Sequence, residues 1–97
     1  MKLRFAPRAI RNISAIGDYL VERNPSAAAR VRADIYEGLR DLLLFPHLGR
    51  SQRTAGVRKL VTRRFAYLVY YLVDEGTDEI IVLSVRHGAQ KREHQDS

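Results

Sequence analysis

Arg63–Arg92 reads RRFAYLVYYLVDEGTDEIIVLSVRHGAQKR, and this stretch decides the fold. Two runs rich in β-branched and aromatic residues, Ala66–Asp74 and Glu79–His87, flank Glu75-Gly76-Thr77-Asp78, which has turn chemistry. Strands so nearly continuous in apolar residues need cover on both faces, so they belong inside a sheet. A hairpin returns its two ends to one edge. Arg63, Arg64, Arg86, His87, Lys91 and Arg92 are therefore expected near one another, and such a cationic end suits an anionic partner.

Working outward, Gly56–Thr62 (GVRKLVT) reads as a further strand, and Arg63 and Arg64 open the turn that follows it. Pro46 and Gly49 end a helical run whose apolar stripe is Ala28, Val31, Ile35, Leu39 and Leu42. Asn24-Pro25 starts that run, with asparagine as N-cap and proline at the first helical position. Before it, Pro7 opens a helix that carries Ile10, Ile13, Ile16 and Leu20 on one face as far as Arg23. The tight link between the two helices predicts an antiparallel helical hairpin. Gly17 costs ~1 kcal/mol against alanine in mid-helix, and close packing by the second helix would account for it. Lys2–Phe5 alternates as a short strand with Leu3 and Phe5 inward. The expected architecture is α+β, in the order β-α-α-β-β-β, a helical hairpin packed on a small antiparallel sheet. One domain spans residues 1–97, with the polar residues 88–97 as a flexible tail.

The bulk properties limit the function classes. Ninety-seven residues with 45% hydrophobic content fill one modest core. The absence of cysteine removes disulfides, thiolate zinc sites and thiol nucleophiles, and fits a reducing cytoplasm. No apolar run approaches the ~20 residues of a membrane span, and MKLRFAPRAIRN lacks the apolar stretch of a secretory signal. The formal net charge is +6, which points to nucleic acid, a nucleoprotein or an acidic protein. The three histidines have no ligand spacing, so no metal or cofactor is expected.

Five pieces in order resemble the RelE/ParE superfamily of bacterial toxins from type II toxin–antitoxin modules. They are Asp18–Ala29, Phe45–Arg50 (FPHLGR), Gly56–Leu60 (GVRKL), Ala66–Glu75 (AYLVYYLVDE) and Val82–Glu93 (VLSVRHGAQKRE). The resemblance implies a cytoplasmic toxin that a cognate antitoxin holds inactive in a hetero-oligomer. It also implies one of two targets. RelE-like members cut messenger RNA on the ribosome, whereas ParE-like members poison DNA gyrase. A basic interaction module that has kept the scaffold without the activity is the third possibility.

Metal-free RNA cleavage needs a base, an acid and cations around one phosphate. Ribosome-dependent members carry an arginine immediately before the Leu-Val-Tyr of the central strand and an acid near the C-terminus. Here Tyr67 precedes Leu68-Val69-Tyr70, and no tyrosine follows Tyr71. His87, with Arg86 and Arg58, would have to supply the chemistry, so the residues lean toward the ParE branch. Each candidate also has a structural reading. His87 suits a hydrogen-bonded strand end, and Arg58 suits a pair with Asp41 or Glu37. Alternation puts Tyr70 with Leu68 and Leu72 in the core. It leaves Tyr67, Val69 and Tyr71 on a half-covered face, packed across strands or bound by a partner. The expected partner-binding set is Arg63, Arg64, Tyr67, Tyr71, Arg86, Lys91 and Arg92. Arg8, Arg11, Arg30 and Arg32 add charge along the helices.

Overall fold

The computed structural model describes residues 1–88. The chain runs β1 (Lys2–Phe5), α1 (Pro7–Arg23), α2 (Pro25–Leu44), β2 (Arg50–Ser51), β3 (Val57–Val61), β4 (Leu68–Asp74) and β5 (Glu79–Arg86). The strands form one sheet in the order β1-β5-β4-β3-β2, so the two most apolar strands have neighbours on both sides. Pairing is antiparallel from β5 to β2, as the hairpin reading requires. β1 joins β5 in parallel, which makes the sheet mixed. The chain leaves β1 through Ala6, whose N–H donates to the Val82 carbonyl at 2.9 Å, and α1 then crosses the sheet face. β2 lies in the segment read only as a helix stop, and its two residues extend the sheet beyond β3.

The helix signals act as expected. Pro7 and Pro25 occupy first-turn positions, and the Asn24 carboxamide oxygen accepts from the Ala27 N–H at 3.1 Å. Such a cap stabilises a helix by about 1 kcal/mol. α2 is the deeper helix: Val31, Ile35, Leu39 and Leu42 are buried against the sheet, while α1 fully buries only Ala9. The explanation of Gly17 as a close-packing site is corrected. A Cβ there would meet nothing within 4 Å, because Gly17 floors a shallow groove between Ile13, Ile16 and Leu20 of α1 and Val31 and Ile35 of α2. The close approach is at Gly38, where a Cβ would lie 3.1 Å from the Leu60 side chain.

A register shift between Tyr70 and Tyr71 sets the faces of the central hairpin. Tyr70 pairs with Ser84 and Tyr71 with Val82, leaving Leu83 as the extra residue of a bulge. Ile80 and Val82 before the bulge, and Val85 after it, therefore all face the helices with Val69 and Tyr71. The faces of β4 are also the reverse of those expected. Tyr67, Val69 and Tyr71 are buried beneath the helices, and Tyr70 is half-buried on the open face. Both faces of Leu68–Asp74 are apolar, so alternation alone could not say which one the helices cover.

Candidate partner-binding site

The turn from β3 to β4 carries Arg63 and Arg64 and is held across its neck and from α2. The Thr62 N–H donates to the Tyr67 carbonyl, and the Tyr67 N–H donates to the Thr62 hydroxyl, both at 2.9 Å. From α2, the buried Asp34 carboxylate accepts from the N–H groups of Arg64 at 3.0 Å and Phe65 at 2.9 Å. Burial pushes the Asp34 carboxyl up. Hydrogen bonds from Thr62, Phe65 and Arg64, together with the Arg64 charge, outweigh it and leave the group below the ordinary carboxylate range. Ala66 closes the turn in the left-handed region at φ 55°. A non-glycine residue there carries strain of order 1 kcal/mol, which the surrounding bonds hold in place. The side chains of Arg63 and Arg64 are thereby presented outward from a fixed backbone. Arg63 reaches Asp41 of α2 at 3.0 Å, and both arginines border an open hollow of about 390 Å³ with Glu37, Arg40 and Leu44.

Arg58 does not pair with Asp41 or Glu37. Its guanidinium donates to the carbonyls of Gly49 at 2.7 Å and His47 at 3.2 Å, fixing the loop after α2. Tyr71 holds the same loop from below: its hydroxyl donates to the Pro46 carbonyl and accepts from the Gly49 N–H, each at 2.8 Å. Burial raises the Tyr71 pKa against the lowering effects of the Gly49 bond and Arg58, so the hydroxyl keeps its proton to donate. Gly49 is demanded by this approach, because a Cβ would come within 2.8 Å of the Lys59 carbonyl and the Tyr71 ring.

At the end of β5 the candidates separate. Arg86 pairs in register with Leu68 on the open face, and its guanidinium lies over the Tyr70 ring at 5.7 Å from the centroid. His87 turns to the other side and meets Tyr67 edge-on, with centroids 5.1 Å apart. Tyr67 and His87 line a largely apolar cavity of about 520 Å³ with Ala15, Ile16, Tyr19 and Leu20 of α1. Burial, with a smaller effect of Tyr19, raises the Tyr67 pKa.

With this geometry in hand, comparison with known proteins places the chain. Residues 3–92 match the family described as the ParE toxin of type II toxin–antitoxin systems, parDE. A protein of Sinorhizobium fredii (strain NBRC 101917 / NGR234), named "Putative toxin Y4kP", is 32% identical over 90 residues, covering 93% of this chain and 91% of its own. The chain belongs to the ParE toxin family. Among solved structures, the chromosomal ParDE system of P. aeruginosa has a similar chain at 27% identity and a TM-score of 0.77, covering 90% of this chain and 95% of that one. The E. coli RelBE complex shares the fold at 20% identity, with a TM-score of 0.69 and the same two coverages.

In this toxin, the expected site residues are only partly brought together. Arg63 and Arg64 share one turn, and the pairing of Leu68 with Arg86 puts that turn and the end of β5 at the same end of the sheet. Tyr71, expected to meet a partner, is instead fully buried, because its ring and hydroxyl support the Pro46–Gly49 loop. Tyr67 is buried too and reaches the surface only as a wall of the α1 cavity. Lys91 and Arg92 lie outside the described residues. Sequence reasoning missed Asp34 and Tyr19. Asp34 had a readable signal, a carboxylate on the same helix stripe as Val31, Ile35 and Gly38, which burial obliges to find donors. Tyr19 had none, because its place opposite His87 depends on how α1 crosses the sheet. Among the described residues, no three His, Cys, Asp or Glu side chains gather to hold a metal, and no helix is long and apolar enough to cross a membrane.

Proposed function

We propose that this toxin acts by binding and inhibiting DNA gyrase in the cytoplasm, and that a cognate antitoxin neutralises it in a hetero-oligomeric complex. The observation that carries this reading is the dispersal of His87, Arg86 and Arg58, the catalytic candidates for RNA cleavage. Arg58 is engaged with the Gly49 and His47 carbonyls, Arg86 stacks on Tyr70 on the open face, and His87 packs against Tyr67 on the helix side. General acid–base catalysis needs its acid, base and charge stabiliser within hydrogen-bond reach of one reacting group. These three side chains converge on no common point. Tyr67 stands where ribosome-dependent relatives carry an arginine, and it is buried, so it offers no phosphate clamp. The likeness to a ParDE toxin–antitoxin system supports the antitoxin partner. An inhibitor of this kind needs a rigid surface rather than a reactive group, and the clamped Arg63-Arg64 turn is one.

The test is to induce the protein alone and follow DNA and protein synthesis separately, then assay purified protein on gyrase. The expected result is growth arrest with replication failing first, blocked supercoiling and intact translated mRNA. Intact supercoiling at saturating protein overturns the reading. Discrete cuts in translated mRNA that vanish in His87→Ala and Arg86→Ala would establish the ribonuclease instead, and normal growth would leave an inactive basic module.

A further inference from the structure

The end of α2 and the loop after it present apolar surface that the fold itself does not use. Leu44 is 72% exposed, Phe45 63% and Leu48 50%. An isolated exposed leucine is ordinary, but these side chains fall within five residues on a loop that is held rigidly. Tyr71 and Arg58 tie the backbone of Pro46, His47 and Gly49 with four hydrogen bonds between 2.7 and 3.2 Å. The fold fixes the loop while leaving its large side chains in water. A projection whose backbone is already fixed leaves only side-chain ordering to be lost on binding, which favours association.

Beside it lies a mixed cluster in which three arginines outnumber two carboxylates. Glu37, Arg40, Asp41 and Leu44 recur along one face of α2, and with Arg63 and Arg64 they border the same hollow. Asp41 is engaged by Arg63 at 3.0 Å, and Arg64 stands on the turn that Asp34 anchors. We infer that this hollow and the Leu44-Phe45 projection form a docking surface for an acidic amphipathic segment of a partner protein. Its apolar side chains would cover Leu44 and Phe45, and its carboxylates would meet Arg40, Arg63 and Arg64. The chemistry favours a protein over a polyphosphate, because Glu37 and Asp41 sit among the arginines and repel a densely anionic backbone. The inference deepens the reading of this chain as a toxin that works through protein contacts, and it rests on that reading for its biological consequence.

The experiment titrates the labelled full chain with a short synthetic helix that carries leucine on one face and glutamate beside it. Amide shifts are expected to cluster at Arg40, Leu44, Phe45, Arg63 and Arg64. Affinity is expected to fall roughly tenfold in Leu44→Asn and in Arg64→Gln separately, and in a glutamine-for-glutamate peptide. Both protein substitutions are at exposed side chains, so the variant spectra should remain folded. Shifts confined to the open face around Arg86, or affinities unchanged by both variants, overturn the inference. So does binding to phosphatidylglycerol vesicles with no response to the peptide. Growth arrest by a wild-type chain whose peptide shifts lie elsewhere removes this surface and leaves the toxin reading. Peptide docking by a chain that does not arrest growth does the opposite.

Discussion

Asp34 joins α2 to the turn that displays Arg63 and Arg64, and its carboxylate is one of the two ties on that turn. Both carboxylate oxygens are in use, one on Arg64 N–H and one on Phe65 N–H. Its folded pKa lies below the ordinary value of 3.8, so the folded state holds that proton less tightly than the unfolded chain does. The stabilisation is therefore complete above the unfolded value and is lost as pH falls through the folded one. Wild-type protein is expected to lose urea resistance as the pH drops below about 4, the carboxylate range, and Asp34→Asn should show a flatter acid limb. At neutral pH Asp34→Ala strands two backbone donors. Each buried stranded donor costs roughly 1–3 kcal/mol, and the partial access of water here points to the lower half of that range. Equal acid limbs in wild type and Asp34→Asn would show that other carboxylates control acid unfolding.

At the scale of elements, the two helices differ in how completely they are seated, and two glycines report it. Gly17 of α1 faces open space, so Gly17→Ala should raise stability by about 0.5–1 kcal/mol through helix propensity alone. Gly38 of α2 approaches Leu60 and Thr62, so Gly38→Ala must displace the Leu60 side chain and should stabilise less or destabilise. Denaturant midpoints check the pair, and a loss of stability in Gly17→Ala would mean that α1 closes on α2 in solution. The contrast also shows what the residues could and could not disclose. Helix starts at Pro7 and Asn24-Pro25 were readable because proline and an asparagine cap act locally. The central hairpin was readable because few structures bury such apolar runs. The face of β4 was not, since Tyr70 and Tyr71 are equally apolar, nor was the phase of β5, which changes at a one-residue bulge at Leu83. The role of Arg58 was hidden for a related reason. A carboxylate on α2 looked the natural partner, but two loop carbonyls lay within reach once β2 paired with β3.

Across the whole molecule, charge is arranged along the hairpin axis. One end gathers Asp74, Glu75, Asp78 and Glu79, and the other gathers Arg63, Arg64 and Arg86. Two carboxylates of the acidic end are paired with cations of the chain: the Met1 amino group lies 3.7 Å from Asp78 and Arg4 3.3 Å from Glu79. The basic end has Asp41 beside Arg63 and Asp34 beneath the turn. The arginine turn is one exposed concentration of the net charge of +6, and an acidic partner is expected to approach that end first. Arg53 tests this, because it is exposed in the loop before β3, at the opposite end of the strands from Arg64. Arg64→Glu and Arg53→Glu change the net charge equally. At low salt Arg64→Glu should slow association with an antitoxin by several-fold to about tenfold, and Arg53→Glu should have a much smaller effect. At physiological ionic strength the Debye length shrinks to about 8 Å and the two rates should converge. Stopped-flow association across a salt series measures both. If the two variants slow equally at low salt, steering follows total charge alone and the arginine turn is no preferred point of approach.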